Sequence, residues 1–111
     1  MKLKNPLLVV TDMDRSVAFY KKVFGLHVIM DFGANKTLTG GLSLQTIETY
    51  KAFIGTSEIS FGGNDFEIYF EEDDFDAFAR RLQACDIAHK NANIDTMSVN
   101  ISVLVLCQKT L

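Results

Sequence analysis

The chain has 111 residues, enough for a single domain that buries roughly two thirds of the surface its unfolded form exposes. Its 48% hydrophobic content with nine Phe excludes intrinsic disorder, and a formal charge of −3 lacks the basic face that nucleic-acid binding needs. Apolar runs all fall short of the ~18 residues of a membrane helix, and Met1 to Pro6 lead into a short apolar strand without a signal-peptide pattern, so a cytoplasmic protein with no membrane partner is expected.

Pro6 to Val10 is a continuous apolar run that suits a buried strand. Asp12 then offers a helix N-cap, and Met13, Val17, Tyr20 and Phe24 recur with helical spacing until Gly25, predicting a helix over Met13 to Phe24. Leu26 to Phe32 reads as a strand, and Gly33 to Lys36 as a turn. Thr37 to Gln45 reads as a second strand, with Gly40-Gly41 marking a bulge or a close backbone approach. Ile47, Tyr50 and Ile54 are spaced for a short helix over Thr46 to Ile54. Gly55 to Asp65 is a loop of small and polar residues that could link two halves.

Phe66 to Phe70 alternates as a strand should: Phe66, Ile68 and Phe70 take one face, Glu67 and Tyr69 the other. A second helix starts at Asp74, carries Phe75, Phe78 and Leu82 as its apolar stripe, and ends near Cys85. The acids Glu71 to Asp74 complement the positive end of that helix. His89 to Asp95 is polar loop, and Ser98 to Cys107, rich in β-branched residues, a strand. Cys85 and Cys107 have neither metal-pair spacing nor an export context, so both read as reduced thiols. His27 and His89 read as surface residues rather than a metal pair.

The halves share a pattern. Sliding Asp12 onto Asp74 places Met13 on Phe75, Tyr20 on Leu82, and Asn5, Leu7 and Val9 on Glu67, Tyr69 and Glu71. A lone strand–helix unit cannot cover both faces of its sheet, so two should pack together as one domain over 1–111, module one about 1–55 and module two about 60–111.

The run Val10-Thr11-Asp12-Met13-Asp14-Arg15-Ser16-Val17-Ala18-Phe19-Tyr20, continuing to Phe24-Gly25, resembles the first helix of the vicinal oxygen chelate superfamily of glyoxalases, bleomycin-resistance proteins and dioxygenases. Glu67 to Phe75 similarly resembles the strand-to-helix entry of that superfamily's second module. The resemblance implies an α+β fold of two βαβββ-type modules, whose curved mixed sheets form a cup with helices on the outer face. It also implies, in the enzymes, a divalent metal that chelates vicinal oxygens of the substrate.

The ligand positions of the resemblance are altered. The first-strand His falls at Asn5, a weak ligand for a transition metal, and the second-module His at Glu67. Glu48 is the nearest substitute for the first module's closing-strand acid, but it sits in a predicted helix. The last strand, Ser98 to Leu106, has no acid. From Cys85 onward the sequence departs from the pattern and is several residues shorter than a full module, so part of the cup is expected to be closed by another subunit or left open.

The leading expectation is a metal-free binding protein, a homodimer whose cup is lined by Asn5, Leu7, Glu67 and Tyr69 and takes an aromatic or cationic small molecule. No residue is assigned as a metal ligand and no cofactor is expected. Glu67 is the candidate catalytic residue if the chain is instead a metal-dependent lactoylglutathione-lyase-like lyase or a dioxygenase. A protein-interaction domain without a small ligand is the third reading.

Overall fold

Asp12 has extended backbone, and its carboxylate accepts a hydrogen bond from the Arg15 N–H, which starts helix α1 (Met13–Phe24). Gly25 ends it in the left-handed conformation at φ 70°, its N–H donating to the Lys21 carbonyl while Leu26 N–H donates to that of Tyr20. An L side chain would be strained at that φ. The computed structural model describes residues 1–61, 68, 70 and 72–84.

The chain packs as two units, the first Met1–Ile59 and the second beginning at Ser60. The first unit runs β1 (Leu7–Val10), α1, β2 (Val28–Asp31), β3 (Asn35–Leu38), β4 (Ser43–Thr46) and α2 (Ile47–Ile54). Through β4 this is one βαβββ module. Its mixed sheet has the order β1-β4-β3-β2, with β1 parallel to β4 and the other pairs antiparallel.

Thr37 to Gln45 is not one bulged strand. Gly40 and Gly41 adopt φ of 86° and 95°, a 3-10 turn forms over Thr39–Gly41, and the chain doubles back as a β3–β4 hairpin. Two consecutive left-handed residues reverse a strand where a bulge would only bend it. The preceding turn is also shorter than Gly33 to Lys36, because Asn35 and Lys36 already belong to β3.

Alternation along each strand sorts the side chains onto two faces. Leu8, Val10, Leu38 and Leu44 are buried, with Leu44 and Leu38 completely enclosed. Helix α1 packs on β4 and buries Ser16, Tyr20 and Val23, whereas Met13, Val17 and Phe24 are half-buried. The buried stripe therefore runs through Ser16, Tyr20 and Val23, sharing only Tyr20 with the predicted one, and it starts at Ser16. A small side chain there lets the helix axis approach the sheet. Tyr20 stacks on Phe24 and meets Phe19 edge-on.

In the second unit, Asp74 accepts a hydrogen bond from the Ala77 N–H and Glu72 accepts one from the Asp74 N–H, capping helix α3 (Phe75–Ala84). Phe78 and Leu82 are buried, and Arg81 lies over the Phe78 ring and pairs with Glu72 at 3.5 Å. Among the described residues no helix is long and apolar enough to cross a membrane. The strands expected at Phe66 to Phe70 and Ser98 to Cys107 fall largely or wholly outside the described residues.

Candidate functional site

The sheet face opposite the buried leucines is the site's foundation. Register sets Leu7 and Thr37 beside Ser43, and Val9 and Asn35 beside Gln45, so these side chains share that open face. Its centre is polar. The Thr37 and Ser43 hydroxyls hydrogen-bond each other at 3.1 Å, and both residues are buried. Beside them, Asn35 Nδ2 donates to Gln45 Oε1 at 3.3 Å, and Gln45 Nε2 donates to Thr49 Oγ1.

Over this floor lies a groove of about 350 Å³ within the first unit, a volume suited to small organic ligands. Asn5, Asn35, Thr37 and Ser43 provide its polar lining, Leu3, Ile29, Met30 and Phe32 its apolar walls, and Lys2 and Lys4 its cationic lining. Ile29, Met30 and Phe32 are all well exposed.

A bulge in β2 places these apolar residues. Val28 opposes Leu38 while Met30 opposes Thr37, so Ile29 is an extra residue in the ladder. Regular alternation would turn Val28 and Met30 to the same face. With the bulge, Val28 pairs with a core leucine and Met30 with a residue of the groove floor. The strand ends in a tie: Lys36 Nζ reaches Asp31 Oδ2 at 2.6 Å, and the Gly33 N–H donates to Asp31 Oδ1. These bonds, Lys36 first, hold the Asp31 carboxyl below its ordinary pKa.

Of the residues expected from sequence, Asn5 lines the groove. Its Nδ2 donates to the Gly41 carbonyl at 2.8 Å, which ties the N-terminal segment to the β3–β4 turn. Leu7 is on the same sheet face but is not part of the groove lining. Glu67 and Tyr69 lie outside the described residues. Glu48 is exposed on α2, and His27 is exposed beside β2.

Sequence reasoning missed Asn35, Thr37, Ser43, Ile29, Met30, Phe32, Lys2 and Lys4. Asn35-Lys36-Thr37 is polar throughout and carries no alternation that would single out the first two, and nothing local marked the bulge.

A divalent metal would need hard or borderline donors converging on one point. Among the described residues no group of three His, Cys, Asp or Glu side chains could hold one. The polar residues lining the groove are instead Asn5, Asn35, Thr37, Ser43 and two lysines, and the Asn5 amide is engaged with Gly41. These residues do not fit the metal that the resemblance implies.

The sequence profile of glyoxalase-like domains matches residues 3–96. Comparison with curated proteins gives no match. Among solved structures, a protein of unknown function from Agrobacterium tumefaciens str. C58 is similar at 26% identity and a TM-score of 0.66, over 76% of this chain and 68% of that one. A bleomycin resistance determinant encoded on the transposon Tn5 is similar in fold, at 18% identity and a TM-score of 0.54, over 84% of this chain and 72% of that one.

Proposed function

The chain belongs to the family of glyoxalase-like domains, and from that premise we propose that it is a metal-free small-molecule-binding protein whose cup holds a ligand with an aromatic body. The groove on the open sheet face carries this reading: its floor is amide and hydroxyl, its walls are Leu3, Ile29, Met30 and Phe32, and its donor set suits an organic molecule better than a transition metal. The fold is shared with a bleomycin resistance determinant. An aromatic ligand is favoured by the apolar part of the lining, where the unbranched, adaptable Met30 and Phe32 both take part. A cationic ligand is the expectation attached to Glu67.

The alternative is a glyoxalase-type lyase or dioxygenase acting through Glu67 and a bound metal. Metal analysis separates the two. Protein purified without chelator should carry well under one equivalent of Zn, Ni, Fe or Mn, and aromatic compounds should raise its melting temperature. Near-stoichiometric metal, together with thiol-dependent methylglyoxal turnover that is lost in Glu67→Gln, would overturn the binding-protein reading.

A further inference from the structure

The charge of the ligand follows from which polar groups at the groove are already committed. The floor is tied up internally: Thr37 bonds Ser43, Asn35 bonds Gln45, and Asn5 bonds the Gly41 carbonyl. Such a floor accepts a ring across it with little loss, because the hydrogen bonds beneath are already made. Lys36, the lysine on β3, is taken by Asp31. Lys2 and Lys4 differ. Both line the groove, both are exposed, and neither has an ion-pair partner among the described residues.

Asn5 gives these lysines a place. Its bond to Gly41, itself a lining residue, anchors the N-terminal segment at the groove, one residue after Lys4. The apolar walls from β2, Ile29 and Met30, stand on the bulged edge strand, with Phe32 just beyond it. The lining residues thus combine apolar walls with two lysines that have no ion-pair partner among the described residues.

We propose that this groove selects a planar organic anion, an aromatic carboxylate, with its ring over the Thr37–Ser43 floor between Ile29, Met30 and Phe32 and its carboxylate met by Lys2 and Lys4. The proposal rests on the reading of the groove as a ligand site and adds the sign of the charge it recognises. An exposed ammonium–carboxylate pair improves affinity by roughly twofold to fivefold, so two lysines together give about fivefold to twentyfold. The interaction is screened by salt, over a distance of about 8 Å at physiological ionic strength.

Three probes of one shape test it by calorimetry on the full chain at low and high salt: naphthoate, naphthamide and naphthylmethylammonium. Naphthoate should bind about fivefold to twentyfold tighter than naphthamide, with the advantage shrinking at high salt, and should shift the Thr37 and Ser43 amide resonances. Lys2→Gln combined with Lys4→Gln should bring the acid within about twofold of the amide, with an unchanged melting temperature showing that the fold is kept, since both lysines are exposed. Equal binding of acid and amide by the wild type, or tighter binding of the ammonium, overturns the anion proposal while leaving the groove as a ligand site. No binding of any probe removes the groove reading, and this proposal with it.

Discussion

The Thr37–Ser43 hydroxyl pair offers the sharpest test of the groove floor. Both residues are buried, and their hydroxyls meet at 3.1 Å across neighbouring strands. Ser43→Ala removes one partner and leaves the Thr37 hydroxyl enclosed with its bond broken, which costs about 1–3 kcal/mol. Thr37→Val, nearly the same shape, strands the Ser43 hydroxyl at a similar cost. The double variant removes both groups, so no polar atom of this pair is left unmatched and the net loss falls to about 1 kcal/mol. The expected coupling is therefore about 1 kcal/mol or more, with the double variant more stable than the sum of the singles implies. Urea midpoints followed by far-UV circular dichroism give all four corners of the cycle. Single losses that add within about 0.3 kcal/mol would show that the two hydroxyls do not depend on each other, and the floor as described would be wrong.

Leu44 is wholly enclosed on the opposite face, so Leu44→Ala should cost about 2–5 kcal/mol in urea titration; a loss below about 1 kcal/mol would mean that this face is not the core. Asp31 has its pKa lowered by Lys36 and the Gly33 N–H, so its contribution is present above the unfolded-state pKa and fades as pH falls through the lower folded value. The stability difference between wild type and Asp31→Asn should hold near neutral pH and shrink in acid below the usual carboxylate range; a difference constant to the lowest pH would contradict the assignment. We expect a homodimer that buries more than ~1,000 Å² in total, and light scattering that finds a monomer at tens of micromolar would refute it.

Helix α1 was legible because its signals are local. Asp12 supplies the cap, helical spacing supplies the face, and Gly25 supplies the left-handed stop. Helix α2 was readable for the same reason, from Ile47 to the last periodic residue, Ile54. The start of α3 was marked by Asp74, and the acids before it proved to include its cap and a bond to the Asp74 N–H. The β3–β4 hairpin was harder. Gly40-Gly41 announced an irregularity, but a bulge and a reversal use the same residue, and only the pairing of Thr37 with Ser43 distinguishes them.

The candidate site was less legible than the fold. Asn5 was placed through the family pattern, and it lines the groove, yet its amide is spent on Gly41 thirty-six positions along the chain. Leu7 shares a sheet face with Ser43, but strand phase could not show that the groove lies elsewhere on that face.

The sequence alone determined the α+β class, the positions of α1 and α2 and the start of α3, because caps and periodicity act over a few neighbouring residues. Tertiary structure decided which polar groups are already paired, that Met30 joins the groove while Val28 pairs with a core residue, and that Lys2 and Lys4 line the same cavity as Phe32. Those outcomes depend on strand register and on a one-residue bulge. Register is a property of two strands at once, so residues far apart in sequence have to meet before the site exists.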